Sequence, residues 1–178
     1  YALQAPNGPP PNAAAAAKPT PPGKPKPFDE IVAGATRTDG LFPVWKKDAD
    51  VFLEIPAAFL DKPFLFTANI AQAVGERGLY ASQMGMKHMA QWRKVGNQLQ
   101  LLAVNQKFRA EGGGARATAE AFSPSLLGSG PILSAAHPER KSLLVNANFL
   151  LNDIPGISTR LEMAYRLPYG LDKANSSI

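Results

Sequence analysis

Residues 28–56 constrain the fold of this 178-residue chain more than any other stretch. They contain two apolar, strand-like runs, residues 41–46 and residues 51–55, joined through the Lys-Asp-Ala-Asp segment of residues 47–50. A Thr-Asp-Gly turn at residues 38–40 comes just before the first run. Asp and Gly tolerate the dihedral angles of turns, and β-branched or aromatic residues fill a pleated surface. This arrangement therefore predicts a β-hairpin.

Further strands are predicted downstream by an alternation of apolar and polar residues. Residues 84–93 alternate with a period of two over the whole run, which is typical of a half-buried strand. Gly96-Asn97 then makes a turn, and residues 98–104 run back as the hairpin partner, with a possible continuation to Phe108. Phe64, Phe66, Ala68 and Ile70 share one parity and predict another strand.

The remaining segments predict short helices and three more strands. Helical turns are expected at residues 56–61, 115–122 and 146–153, and strands at residues 132–136, 142–145 and 160–167. None of these helices is long enough for the crossover of a βαβ unit. The sequence therefore predicts a mainly β (α+β) fold, an antiparallel sheet or sandwich of about seven strands with two or three short helices.

Residues 1–27 differ in composition from everything that follows. They hold nine of the 17 prolines and a run of five alanines, a composition that favours an extended polyproline II spacer. We therefore divide the chain into a Pro/Ala-rich extended tail or linker, residues 1–27, and a single β-rich domain, residues 28–178. If the tail docks onto a neighbouring subunit instead, the candidate docking residues are Pro9, Pro10, Pro11, Pro19, Pro21 and Pro22.

Composition and charge exclude several classes of function. The net charge is +5, but three lysines of the tail carry +3, which leaves only +2 on residues 28–178 and argues against nucleic acid as a partner. The chain has no cysteine, so disulfides, thiolate zinc sites and a cysteine nucleophile are excluded. No run approaches the roughly eighteen apolar residues of a membrane span.

No residue set in the sequence predicts catalysis, a cofactor or a metal. His88 lies on the apolar parity of its strand, His137 precedes a proline in a turn and is expected to be exposed, and there is no HExxH motif. The Gly-rich residues 111–116 lack the Lys-Ser/Thr of a P-loop, and no serine lies in a GxSxG elbow. The carboxylates Asp29, Glu30, Asp39, Asp48, Asp50 and Asp61 fit capping and turn roles. Apolar strands with open edges do predict one activity, pairing with another chain by β-augmentation.

Four stretches carry a resemblance to a known family. They are PFDEIVAGATRTDGLFPVWKKDADVFLEIP at residues 27–56, AAFLDKPFLFTANIAQAVG at residues 57–75, QWRKVGNQLQLLAVNQKFRA at residues 91–110 and YGLDKANSSI at residues 169–178. In order and spacing they resemble the N-terminal, non-catalytic region of exported bacterial zinc-dependent metalloproteases, a domain of unknown function upstream of an HExxH catalytic domain. Residues 84–89 are richer in methionine, and residues 111–116 richer in glycine, than that family leads us to expect.

The resemblance implies a non-catalytic accessory domain that binds or scaffolds. It implies export to the periplasm, the cell surface or the medium, and zinc only in a catalytic domain that is absent from this chain. The chain lacks an N-terminal Met and a signal peptide, as expected either of an exported protein after signal removal or of a fragment. The expected partners are that catalytic domain or other copies of this chain. Two alternatives remain: a self-assembling structural protein that docks its subunits through the tail or an edge strand, and, ranked below it, a free-standing enzyme that uses His88.

Overall fold

Two four-stranded antiparallel sheets form the protein in the computed structural model, which describes residues 25–69, 71–110, 114–151, 156–169 and 172. The mainly β fold expected from the sequence is confirmed. The strands are β1 (Thr36–Thr38), β2 (Val44–Lys47), β3 (Asp50–Pro56), β4 (Pro63–Asn69), β5 (Met84–Val95), β6 (Gln98–Ala103), β7 (Ser125–Pro131) and β8 (Ser142–Asn146). The helices are α1 (Phe28–Ile31), α2 (Ala115–Ala121) and α3 (Ile157–Tyr165), and 3₁₀ turns lie at Ala57–Phe59 and Ala147–Leu151.

Sheet 1 has the strand order β1-β2-β3-β8, and its centre is the hairpin predicted from residues 28–56. The first strand of that hairpin begins at Val44 rather than at residue 41. Pro43 lacks the amide needed for a ladder bond, and the Phe42 ring contacts the rings of Phe59, Phe64 and Trp92 instead. The preceding β1, which the sequence reading did not predict, pairs antiparallel with β2.

Sheet 2 has the order β4-β5-β6-β7, and the long β5 pairs with strands on both sides. The predicted hairpin turn is confirmed, and Gly96 adopts a φ of +57°, which suits glycine. Strand β6 ends at Ala103 and does not continue to Phe108. A bulge between Thr67 and Asn69 brings β4 so close to β5 that a Cβ on Gly85 would collide with the carbonyl oxygen of Ala68.

The core lies between the two sheets. Ile55 and Val145 of sheet 1 face Trp92, Leu99 and Leu101 of sheet 2, and all five are almost fully buried. Residues of β5 and β6 that point inward share one parity, as the period of two predicted. Fully burying a side chain of this size contributes about 1.5–3 kcal/mol, so this layer supplies most of the apolar stabilisation.

A second, smaller cluster covers the outer face of sheet 1. The α1 segment lays Phe28 and Val32 across Phe52 of β3 and Leu144 of β8, and all four are buried. The two parities of β3 therefore face two different apolar layers: Ile55 the inter-sheet core, and Phe52 the layer under α1. Sheet 1 is thus covered on both faces.

Two of the predicted strands differ in the structure, and one observed strand was not predicted. Residues 160–167, expected as the last strand, lie largely in helix α3, because they are rich in helix formers. Their burial also follows the helical period: Met163 is 65% exposed, and the half-buried face consists of Arg160, Leu161, Ala164 and Tyr165. Residues 132–136 make only isolated bridges, at Ile132 and Ser134. Strand β7 was not predicted, since its Gly and Ser residues weaken the alternation.

Candidate functional site

Strand β4 lies at the edge of sheet 2, and no other described strand pairs with its outer side. It pairs with β5 on one side, where the C=O of Trp92 accepts a hydrogen bond of 2.7 Å from the N–H of Asp61. On the opposite side of β5, the C=O of Met89 accepts a bond of 2.7 Å from the N–H of Val104, just beyond the end of β6. Backbone groups of successive residues in a strand point to alternate sides. Even-numbered residues of β5 therefore face β4.

This alternation fixes which backbone groups of β4 are free. Phe64 lies opposite Ala90 and Phe66 opposite His88, so these two phenylalanines use their N–H and C=O groups in the ladder. The N–H and C=O groups of Leu65 and Thr67 point away from the sheet. Within the described residues, these four groups have no backbone partner.

The side chains of β4 leave this edge without the usual protection. Natural edge strands are commonly blocked by charges, prolines or shortness. The sequence PFLFTAN has no charge and only one proline, at its first position. Leu65 is 69% exposed, the highest value among the exposed large apolar side chains of the described residues. Of the other edge strands, β1 has only three residues and carries Arg37. Strand β7 is as long as β4 and also uncharged, but it contains Gly128, Gly130 and Pro131, and Gly and Pro weaken strand pairing.

The strongest polar cluster surrounds Glu54, which is 1% exposed and lies in the middle of β3. Its carboxylate accepts hydrogen bonds from Ser142 Oγ at 2.6 Å, Arg140 Nε at 2.7 Å and Trp45 Nε1 at 2.9 Å. The Nε of Arg37 stands 4.0 Å away. Three donors, one of them the guanidinium group of Arg140, thus satisfy one buried carboxylate, and the guanidinium group of Arg37 lies nearby.

The electrostatics of Glu54 fit a structural role. Burial by itself raises the pKa of Glu54, but hydrogen bonds from Ser142, Trp45 and Arg140, with the charge of Arg140, outweigh burial and lower the pKa below its usual value of 4.5. A carboxylate held ionised by three occupied donors is a poor general base near neutral pH, because it neither binds a proton readily nor faces a substrate. We therefore assign Glu54 a structural role, in which its hydrogen bonds hold β2, β3 and β8 together.

Of the two histidines, His137 occupies a site unlike the one expected from the sequence. His137 was expected to be exposed, but it is 6% exposed, because its ring lies edge-on to Phe28 at 5.1 Å. Its Nδ1 accepts hydrogen bonds from the backbone N–H groups of Glu139 and Arg140, which closes the predicted turn. His88 is half-buried on the inner parity of β5, as predicted, and its Nε2 is buried without a hydrogen-bond partner among the described residues.

Other residues singled out in the sequence do not converge on one site. The candidate docking residues Pro9, Pro10, Pro11, Pro19, Pro21 and Pro22 lie outside the described residues, as do residues 111–113 of the Gly-rich stretch. Ser125 and Ser129 lie on β7, and Asp61 pairs with Arg93 at the exposed end of β4. In the described part of the chain, no three His, Asp or Glu side chains are grouped so that they could hold a metal ion.

Helix length also bears on the predicted lack of a membrane span. The longest described helix is α3, with nine residues. No described helix reaches the length and hydropathy needed to cross a bilayer.

Comparison with known proteins gives one match. A family described as "Domain of unknown function (DUF5118)" matches residues 25–73, which comprise α1, β1, β2, β3 and β4. The matched segment contains Trp45, Glu54 and the open edge strand. No curated protein and no solved structure matches the chain.

Sequence reasoning overlooked Glu54, although a signal for it exists. In the strand sequence DVFLEIP, Glu54 shares parity with Phe52. A carboxylate on the same parity as a large aromatic residue in a central strand indicates a buried, paired charge. The donors themselves were not predictable, since Arg140 and Ser142 are 86 and 88 positions away.

Proposed function

We propose that this chain is a non-catalytic accessory domain that binds an extended polypeptide strand along the open edge of β4. The observation that carries the proposal is the pair of outward-facing residues, Leu65 and Thr67, in an uncharged edge strand. An added strand gains backbone hydrogen bonds along such an edge, and its alternate side chains contact the faces of the sheet. We assign no reaction chemistry to this domain, because Glu54, the one buried carboxylate among the described residues, already accepts from three donors.

The resemblance described above supplies the biological setting of the proposal. In that setting the chain belongs to an exported zinc-metalloprotease-like protein, and the strand comes from the catalytic part of that protein. Two features support an accessory role for the edge of β4. The matched family segment ends just beyond β4, and this edge faces away from the core. The domain then holds or positions its partner and does not hydrolyse peptides.

A titration with a synthetic strand tests the docking activity. The probe is a fluorescein-labelled peptide with the sequence of residues 62–69, whose backbone pattern complements the edge when it pairs antiparallel. We expect saturable binding by the wild-type chain and at least tenfold weaker binding by Leu65→Lys, since a lysine at this position protects edges from pairing. Equal binding by both proteins, or by neither, contradicts the proposal.

A peptidase assay tests the non-catalytic part. The purified chain, with and without added zinc, is incubated with a fluorogenic casein substrate. We expect no zinc-dependent hydrolysis above that of a heat-denatured sample. Hydrolysis that follows zinc and is lost in His88→Phe supports the free-standing enzyme instead and refutes an accessory role.

Self-assembly is the second candidate, and one observation favours it. In an antiparallel pair of β4 strands centred on Phe66, Leu65 of one copy lies opposite Thr67 of the other, and no like charges oppose each other. Light scattering measures the mass of the chain with and without residues 1–27. A monomer mass for both forms, which is 19.0 kDa for the full chain and correspondingly less without the tail, contradicts self-assembly. Larger assemblies that persist without the tail indicate edge pairing, and assemblies that vanish with it indicate docking by the tail.

A further inference from the structure

A cavity of about 530 Å³ lies between helix α3 and the loop that joins β4 to β5. One wall is a single face of α3, because Arg160, Met163 and Ala164 are spaced three and four residues apart. The loop supplies the opposite wall, which consists of Arg77, Gly78, Leu79 and Gln83. Two of these seven lining residues are arginines and none is acidic. The cavity is therefore positively charged and large enough for a small organic molecule.

Arg160 contributes a half-buried charge to this cavity. No carboxylate of the described residues forms an ion pair with its guanidinium group. The one acid of α3, Glu162, is exposed and lies two positions further on, about 200° around the helix axis, so its side chain points to the opposite side. Withdrawing a cation from water without a partner is unfavourable. An anion that enters the cavity therefore pairs with Arg160 without displacing another group.

The second arginine, Arg77, is exposed and is held against α3 from the loop side. Its Nη1 donates a hydrogen bond of 3.3 Å to the C=O of Ala164, and its Cζ lies 5.0 Å from the centroid of the Tyr165 ring. The carboxylate of the neighbouring Glu76 accepts a hydrogen bond of 3.1 Å from the Tyr165 hydroxyl group and forms no ion pair with Arg77. A guanidinium group has five N–H donors, so most of those of Arg77 stay available to a ligand.

The backbone of the loop is fixed around Arg77. The N–H of Leu79 donates to the C=O of Glu76 at 2.8 Å, and the N–H of Gly75 donates to the C=O of Leu79 at 3.0 Å. Leu79 is itself only 5% exposed and anchors the loop in the protein. Arg77 adopts a φ of +51°, which is uncommon for a residue other than glycine and persists only where the surrounding structure enforces it. A charge positioned in advance lowers the entropic cost of binding.

The charges of the lining select the ligand. Two guanidinium groups and no carboxylate line this space, so an anion is the favoured ligand. A phosphate monoester carries a charge of about −1.5 to −2 at pH 7 and matches both groups, whereas a carboxylate or a sulfate ester carries a single charge. Phosphate oxygens also accept the paired N–H groups that a guanidinium presents. Met163, which is 65% exposed, offers an apolar surface to the organic part of such an ester.

We propose that this cavity, the arginine-lined cavity, binds a phosphate monoester, with the phosphate group between Arg77 and Arg160 and the organic part against Met163. This inference is independent of strand docking at β4. The phosphate has two possible sources, a soluble phosphate ester or the terminal phosphate of a lipid headgroup. Both present the same doubly charged group to the site.

Nuclear magnetic resonance titrations of the full chain test the inference with phenyl phosphate as the probe. Phenyl sulfate is the matched compound, with the same ring and a tetrahedral group of one charge fewer. We expect saturable shifts at the amides of Gly78 and Met163, with a dissociation constant about tenfold lower for phenyl phosphate. Cosedimentation with phosphatidylcholine vesicles that contain phosphatidic acid distinguishes the sources. Cosedimentation that is lost in Arg160→Gln indicates a lipid headgroup, and phenyl phosphate binding without cosedimentation indicates a soluble ester.

Protein variants complete the test. In Arg160→Gln we expect phenyl phosphate to bind about tenfold more weakly and its advantage over phenyl sulfate to disappear. Arg77→Gln should weaken binding similarly, but Arg77 also contacts α3, so Arg160→Gln keeps the test valid if the Arg77 variant does not fold. Arg116→Gln, which removes the same charge from an exposed site on α2 outside the cavity, serves as the control and leaves binding unchanged.

Three results overturn the proposal. They are the absence of saturable shifts with phenyl phosphate, equal affinity of the wild type for phenyl phosphate and phenyl sulfate, and unchanged binding of phenyl phosphate in Arg160→Gln.

Discussion

Replacement of Glu54 by glutamine is the most informative perturbation of this fold. The substitution keeps the size of the side chain but removes its charge and turns one acceptor oxygen into an NH₂ group. In the wild type, the carboxylate accepts hydrogen bonds from Ser142 at 2.6 Å, Arg140 at 2.7 Å and Trp45 at 2.9 Å. The amide has a single oxygen for these three donors. At least one donor, most simply Trp45 Nε1, then faces an NH₂ group.

The expected loss of stability follows from these contacts. Removing one partner of a buried ion pair costs about 3–5 kcal/mol. Arg140 is 41% exposed and regains hydration when its partner is lost, so the lower part of this range applies. We expect Glu54→Gln to lower the free energy of unfolding by about 3 kcal/mol. For a domain of about 150 residues, that corresponds to a decrease of roughly 6–12 °C in Tm.

Urea unfolding at pH 7, followed by tryptophan fluorescence, measures this change. The control is Asp48→Asn, the same carboxylate-to-amide change at an exposed turn position with a φ of +52°, which asparagine tolerates. We expect the control to lie within about 0.5 kcal/mol of the wild type. If Glu54→Gln is no more destabilising than Asp48→Asn, the buried cluster does not hold the sheet together and the reasoning is refuted.

The pH dependence of the same variant gives an independent check. The pKa of Glu54 is lowered in the folded state, so as the pH falls the unfolded state binds the proton first. The stabilisation is complete above the usual pKa of 4.5 and is lost as the pH falls toward the folded pKa. The stability difference between wild type and Glu54→Gln should therefore shrink below about pH 4.5. A difference that stays constant down to pH 3 contradicts the assignment of the charge.

Two further predictions concern packing. Gly85→Ala should lower the free energy of unfolding by about 2 kcal/mol or more, because the new Cβ collides with the backbone of β4. In the control Gly40→Ala, the new Cβ makes an ordinary contact at 3.6 Å, so the free energy of unfolding should change by less than about 1 kcal/mol. Equal effects of the two substitutions in urea unfolding would show that β4 and β5 are not that close. Leu99→Ala, at a fully buried site, should lower the free energy of unfolding by about 2–5 kcal/mol. Leu65→Ala, at an exposed edge site, should lower it by less than about 0.5 kcal/mol. A large loss of stability in Leu65→Ala would mean that the edge of β4 is covered.

Local patterning predicted the sheets well and the site poorly. The alternation in residues 84–93 was informative because one face of β5 meets the core and the other meets solvent. The same alternation in residues 160–167 was misleading, since Leu161, Met163 and Leu167 coincide with a period of two while Met163 and Leu167 are exposed in the structure. Over so short a run, helix propensity was the better guide.

Contacts between distant segments explain the features that were missed. Glu54 meets Arg140 and Ser142 only when β8 pairs beside β3, and His137 becomes buried only when Phe28 covers it. The stacked pair of Phe108 and Phe122 likewise needs α2 and the loop after β6 to meet. A single sequence contains the residues for each of these sites but not their pairing. The open edge of β4 was foreseen only in general form, as strands available for β-augmentation.

Amide hydrogen exchange along β4 in the monomeric wild-type chain tests the proposed binding edge most directly. We predict rapid exchange at Leu65 and Thr67, whose N–H groups face outward, and slow exchange at Phe64 and Phe66, which bond to β5. Adding the peptide of residues 62–69 should slow exchange at Leu65 and Thr67 alone. Slow exchange at Leu65 and Thr67 in the free monomer would mean that the edge is already covered, and it would contradict strand docking at β4.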